Sequence, residues 1–126
     1  MLRDFVLVDT SVWIQADRKG QEQLAERVRA LLKVDTAAVC GMVYLELMRG
    51  AAQYEDKMRT MLERLPKLDM DWPVYEKAAE LSLASRRKGT VLSVSDALIA
   101  ATAIHADVSL FSVDGDFKDI PNLRLF

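Results

Sequence analysis

The sequence is poor in the residues that most often mark a site. One cysteine, Cys40, excludes an internal disulfide framework and a cysteine-based zinc site. A chain so short of thiols fits a reducing cytoplasm. A single histidine, His105, excludes a histidine-rich metal centre. The longest apolar runs, Ala37 to Met42 and Leu98 to Ala101, are too short to cross a membrane. Met1-Leu2-Arg3-Asp4 leads straight into a strand-like run, without the pattern of a signal peptide. The five glycines and three prolines gather into no linker, and there is no repeat or low-complexity stretch. One domain spanning 1–126 is therefore expected. The net charge is 17 − 19 = −2, so no global basic field attracts nucleic acid. A nucleic-acid contact here must come from local patches or from a bound cation.

What the chain does have is a globular balance, 51% hydrophobic and 29% charged. Phe5 to Val8 reads as a buried strand. Ser11 or Thr10 is placed to cap a short helix through Val12-Trp13-Ile14. Leu24, Val28, Leu31 and Leu32 recur at helical spacing within Gln21 to Lys33. Thr36 to Val39 reads as a second strand. Gly41 to Ala52 reads as a helix apolar almost all round, and so mostly buried. Tyr54 to Leu65 is a more polar helix, stopped by Pro66. Leu68 to Met70 is a candidate third strand. Asp71-Trp72-Pro73 opens a helix running to about Arg87 and ending at Gly89. Ser93 or Ser95 starts an alanine-rich helix from Asp96 to His105. Val108 to Val113 is a strand, Asp114-Gly115-Asp116 a turn, and Leu123 to Phe126 a last edge strand. Strands alternate with helices throughout, which predicts an α/β fold with a mainly parallel sheet of four to five strands.

Four acidic residues stand out by their surroundings. Asp9 ends the first strand and Asp114 ends the strand Val108 to Val113. In open α/β sheets, sites form beyond the carboxyl ends of strands. Glu46 shares its helix face with Met42 and Val43, where an ionised carboxylate is costly unless paired or bound to a cation. Asp96 shares its face with Ile99, Ala100 and Ala103. Each also has an ordinary reading. Asp9 suits a turn or a cap, Asp114-Gly115 is a common turn, and Glu46 can pair with Arg49. Ser93-x-x-Asp96 matches a capping box that serves only its own helix. Four such coincidences on four elements are harder to accept than one shared site. Mutual repulsion opposes clustering them without a cation. Hard oxygen donors without a His or Cys cluster point to magnesium or manganese rather than zinc.

The motifs that carry these acids resemble a known family. Val8-Asp9-Thr10-Ser11-Val12-Trp13-Ile14 resembles the first motif of PIN-domain proteins. Glu46 in Leu45-Glu46-Leu47-Met48-Arg49-Gly50 resembles their second acidic motif. Ser95-Asp96-Ala97-Leu98-Ile99-Ala100-Ala101-Thr102-Ala103 resembles the third, and Phe111-Ser112-Val113-Asp114-Gly115-Asp116-Phe117 the fourth. Order and spacing match across essentially the whole chain. Ser112 stands where many members carry Thr and keeps the hydroxyl. The short length is similar to the toxin ribonucleases of VapBC-type toxin–antitoxin pairs.

The resemblance implies a PIN-like α/β/α sandwich and a magnesium- or manganese-dependent endoribonuclease. Such a toxin inhibits translation and is held inactive by a VapB-like antitoxin. Asp9, Glu46, Asp96 and Asp114 are then the catalytic and metal-binding carboxylates. Asp116 is a fifth acid, either ligand or support, and Ser11 orients Asp9 or a bound water. Cleavage leaving a 5′-phosphate and a 3′-hydroxyl is implied, as is a homodimer.

The basic residues allow two readings each. Arg86-Arg87-Lys88 either tracks an RNA backbone or complements a helix C-terminus. Arg49 either contacts phosphate or neutralises Glu46. Trp13 and Trp72 can stack bases but are more simply core or partner contacts. His105 reads as a helix-end residue, and Cys40 and the methionines as packing. A catalytically silent PIN-like module that binds protein or RNA is the rival reading, which a cleavage assay with and without magnesium separates. A receiver-like phospho-acceptor fits less well, because Thr10-Ser11 follows Asp9 where an acidic partner is needed. A haloacid-dehalogenase-like phosphatase needs D-x-D at the first strand, and Ser11 takes its second acidic place.

Overall fold

The computed structural model describes residues 4–126. Four strands form one sheet: β1 (Val6–Val8), β2 (Ala37–Cys40), β3 (Lys67–Leu68) and β4 (Ser109–Phe111). Their order across the sheet is β3-β2-β1-β4, and every pairing is parallel. Six helices connect and flank them: α1 (Thr10–Ala16), α2 (Glu22–Lys33), α3 (Gly41–Arg49), α4 (Glu55–Glu63), α5 (Trp72–Arg87) and α6 (Val94–Ala106).

Every residue of β1 and β2 is buried. Successive strand side chains point to opposite faces, so both faces of the sheet are covered. Helix α2 lays Leu24, Val28 and Leu31 inward, the stripe its spacing predicts. Helix α6 is buried from Ala97 to Ala103. Its alanines let it sit close to β4 on one side and to α3 and α5 on others. Thr102 survives in that core because its hydroxyl donates to the Leu98 carbonyl at 2.7 Å. The result is the predicted α/β/α architecture.

This strand order decides where a site can form. The chain winds outward from β1 through β2 to β3, then returns to add β4 on the opposite side of β1. The direction of winding therefore switches between β1 and β4, and a crevice opens at their carboxyl ends. Val8 pairs with Phe111, and the Asp9 amide donates to the Phe111 carbonyl at 2.9 Å. Asp9 and Ser112 are thus the first residues past the paired strands.

Several expectations need correction. The last edge strand reduces to one bridge, Leu110 to Leu125. Asp119 and Asn122 both adopt positive φ (67° and 68°), and these bends bring the chain alongside β4 only at its end. Helix α3 stops at Arg49, with Gly50 as its cap, and buries only Val43 and Leu47 completely. Leu45 on its outer face is exposed, so the helix is not buried all round. Neither Thr10 nor Ser11 caps α1; Asp9 does. Of the two serines offered for α6, Ser93 is the cap, accepting from the Asp96 amide at 3.1 Å. Asp71 stands at the cap position of α5 without a capping bond, and its carboxylate lies 3.6 Å from His105 Nε2.

Candidate active site

The site grows from the end of β1. Asp9 is 4% exposed, and a carboxylate so buried is costly unless it is hydrogen-bonded. Its Oδ2 accepts from the Ser11 hydroxyl at 2.6 Å and from the Ser112 hydroxyl at 2.9 Å. Both hydroxyls accept in turn from the loop after β4. The Asp114 amide donates to Ser112 Oγ at 2.9 Å and the Val113 amide to Ser11 Oγ at 3.3 Å. This network locks the exits of β1 and β4 together and fixes the rotamer of Asp9. Among the described residues nothing donates to Asp9 Oδ1, yet no buried side-chain oxygen lacks a partner. Oδ1 therefore keeps some accessible surface.

Glu46 is held from the same side. The Thr10 hydroxyl donates to Glu46 Oε1 at 2.7 Å, tying the middle of α3 to the start of α1. Among the described residues no ion pair joins Glu46 to Arg49, which is exposed, so the surface-pair reading of Glu46 fails.

The opposite wall is acidic and open. Asp96, Asp114 and Asp116 each bring a carboxylate oxygen to within 4.8 Å of the others. Asp96 comes from the first turn of α6. Asp114 caps the short 3-10 turn Gly115–Phe117 by accepting from the Asp116 amide at 2.9 Å. Phe117 anchors that turn in the core. Burial first, and then the charges of Asp114, Asp9 and Asp116, push the Asp96 carboxyl up to about 6 from 3.8, against the lowering effect of the Ser93 hydrogen bond. That Asp9 acts on Asp96 joins the two walls electrostatically. The capping and the site readings of this segment hold together: Ser93 caps α6 while the Asp96 carboxyl faces the other acids.

This donor set fits a small divalent cation. Oxygens around magnesium at about 2.1 Å lie no more than about 4.2 Å apart, so modest side-chain rotation brings the three acids to that spacing. All the donors are hard oxygens, which suits magnesium or manganese. Glu46 and Asp9 lie outside the tight trio, whereas Asp116, read from sequence as either ligand or support, lies within it. Two residues were missed as site members: Thr10, read only as a possible cap, and Ser112, noted only for its hydroxyl.

The other residues fall outside this centre. Arg86 and Arg87 end α5 and Lys88 caps it, all exposed. Cys40 is buried, and burial pushes its thiol up, so it is no nucleophile. Trp13 is half-buried, its indole N–H donating to the Val8 carbonyl at 3.2 Å. Trp72 is exposed and stacks on Tyr75 with ring centroids 6.3 Å apart. Among the described residues, no helix is long and apolar enough to cross a membrane.

A parallel four-stranded sheet with carboxylates gathered at its switch point defines a class. The PIN domain family model matches residues 6–123. Ribonuclease VapC11 of Mycobacterium tuberculosis is 36% identical over 126 residues, covering 94% of this chain and 92% of that protein. Ribonuclease VapC2 of Rickettsia felis is 29% identical, covering 94% of each. The crystal structure of VapBC2 from Rickettsia felis, bound to a DNA fragment from its promoter, superposes with a TM-score of 0.80. It is 26% identical and covers 97% of both chains. The chain belongs to the PIN-domain family and, within it, to the VapC ribonucleases.

Proposed function

We propose that this protein, acting as one domain over 1–126, is a magnesium- or manganese-dependent endoribonuclease of the cytoplasm. It serves as the toxin of a type II toxin–antitoxin pair and inhibits translation by cutting RNA. The observation that carries this reading is the meeting of Asp96, Asp114 and Asp116 within 4.8 Å, facing a buried and tethered Asp9. Asp9, Glu46, Asp96 and Asp114 are the working carboxylates, with Asp116 beside them.

Asp96, Asp114 and Asp116 would hold a divalent cation, which would supply a water of lowered pKa and positive charge for the scissile phosphate. The chain's own residues do the rest. Ser11 and Ser112 hold Asp9 by its Oδ2 and leave Oδ1 free of both hydroxyls. Thr10 holds Glu46. One of these carboxylates takes the proton of the attacking water, within hydrogen-bond reach of it. The water oxygen bonds to phosphorus as the P–O3′ bond breaks in line, and the departing 3′-oxygen takes a proton from solvent, leaving a 5′-phosphate and a 3′-hydroxyl.

A VapB-like antitoxin and a second copy of the chain are the proposed protein partners. Exposed Ile14, Leu45 and Tyr54 supply apolar surface for them. Light scattering is expected to show a dimer alone and a larger assembly with the antitoxin. A monomer in both states contradicts this part. The catalytic reading is tested by incubating the protein with RNA in magnesium, in manganese and in EDTA. Cleavage with either metal and none in EDTA is expected. Full activity after exhaustive chelation, with no metal left by elemental analysis, overturns metal dependence. RNA binding with no cleavage in either metal overturns catalysis in favour of a silent module.

A further inference from the structure

A second feature adjoins the acidic wall. A cavity of about 360 Å³ lies between the end of α5 and the loop that follows β4. Asp116 belongs to both the carboxylate trio and this cavity, so the two adjoin at that residue. Its apolar lining includes Leu81, Leu92, Ile120 and Pro121, and Lys88 and Lys118 also line it. Arg86 and Arg87 do not line it, so it separates one member of the basic triplet from the other two.

Both lysines sit on ordered turns. Lys88 lies in a turn closed by the Lys88 and Thr90 amides, which donate to the Ser85 carbonyl at 3.0 and 3.1 Å. The Ser85 and Thr90 hydroxyls meet at 2.7 Å, and Gly89 supplies the positive φ of 80° that the turn requires. Lys118 directly follows Phe117, whose ring is locked in the core. Among the described residues neither lysine is in an ion pair. Asp116 and Asp119 also line the cavity, so its charge is balanced rather than basic overall. The arrangement is an apolar wall with two lysines, sharing Asp116 with the acidic centre.

We propose that this cavity is a nucleotide subsite for single-stranded RNA. It takes the nucleotide next to the one being cut, with its base on the apolar wall and its phosphates on Lys88 and Lys118. Joined to the Asp116 wall, it sets the direction in which the strand runs across the centre. This deepens the ribonuclease reading and rests on it for the reaction, but not for the binding.

The test uses a labelled mixed-sequence single-stranded RNA of 12 nucleotides. Its binding to the full chain is measured by anisotropy in calcium, across a salt series, with RNA integrity checked on a gel. Lys88→Ala/Lys118→Ala is expected to bind about tenfold more weakly. The slope of log affinity against log salt should become shallower by about 1.4, as two lost phosphate contacts on a single strand require. Lys33→Ala/Lys57→Ala, on the far end of the sheet, removes the same charge and should leave affinity and slope at wild-type values. Lys88→Arg/Lys118→Arg should restore both, and provides a second readout where the alanine pair melts low. In magnesium, the alanine pair should raise KM far more than it lowers kcat.

Wild-type affinity and slope in the alanine pair overturn the proposal, as does an equal loss in the control pair. A wild-type protein that binds no RNA also overturns it. Lost antitoxin binding with RNA affinity intact assigns the cavity to the protein partner instead. RNA bound through the lysines but never cut leaves the subsite standing and breaks the catalytic reading. RNA cut equally well by the alanine pair does the reverse.

Discussion

The two walls of the crevice are built on opposite principles. On one, Asp9 is buried and tethered by two hydroxyls, and Glu46 is held by a third. On the other, Asp114 and Asp116 are exposed, Asp96 is half-buried, and the acids face one another. The first wall is set by folding and needs no ion to hold its shape. The second brings like charges together, an arrangement that a bound cation would favour. A site built this way has one fixed edge for positioning and one edge whose energy, on the proposed reading, would respond to metal.

Removing a carboxylate from either wall breaks the comparison most severely. Asp9→Asn and Asp96→Asn keep the shape and delete a charge. Each is expected to lower magnesium-supported RNA cleavage by at least about a hundredfold, with a native circular-dichroism spectrum. Growth arrest on expression should vanish with it.

Removing the tethers tests the fixed wall alone. Ser11→Ala/Ser112→Ala leaves Asp9 Oδ2 without its side-chain donors. A loss of about 1–3 kcal/mol in denaturant unfolding is expected, with cleavage down about tenfold. A pair that keeps wild-type stability shows that these hydroxyls do not hold Asp9. Thr10→Val removes one neutral donor from half-buried Glu46. It should cost about 1 kcal/mol or less and reduce kcat by a smaller factor than the serine pair.

The smallest effect is the pH response of the open wall. Asp96 is pushed up to about 6 from 3.8, so the folded protein holds this proton more tightly than the unfolded chain. Its contribution is present below about pH 4 and is lost as pH rises through about 6. The metal-free melting temperature should therefore carry a downward component across that window. Asp96→Asn should lack this component. Magnesium should stabilise more at pH 7 than at pH 5, because binding needs the ionised carboxylate. A difference between wild type and Asp96→Asn that is flat from pH 4 to pH 7 contradicts the electrostatic coupling.

Much of this was legible in the sequence because it is local. A strand followed by Asp9 and two hydroxyl residues marks a turn into a helix at a strand's carboxyl end. Ser93 three residues before Asp96 marks a helix start. The stripe of Leu24, Val28 and Leu31 marks a buried helix face. What was not legible depends on contacts far apart in the chain. Ser112 reaches Asp9 across 103 positions, and Thr10 reaches Glu46 across 36. No periodicity encodes either pairing. The last strand was overread for a related reason. Leu123 to Phe126 has a strand's composition, but two positive-φ bends leave only Leu125 in register. Phe126 then packs its ring on Phe111 at 5.1 Å, with the Arg27 guanidinium over both rings.

The central claim is that Asp96 belongs to a repelling cluster that a cation relieves, beyond its place in a helix start. Thermal melting of wild type and Asp96→Asn, each with and without magnesium, tests it most directly when paired with cleavage. Without metal, the variant should melt level with wild type or higher, since it loses repulsion and Ser93 still caps the helix. Added magnesium should raise wild type more than the variant, by mass action on the native state. Cleavage by the variant should be lost. An Asp96→Asn that is less stable by about 1 kcal/mol, responds equally to magnesium and still cuts RNA at near wild-type rate contradicts the account.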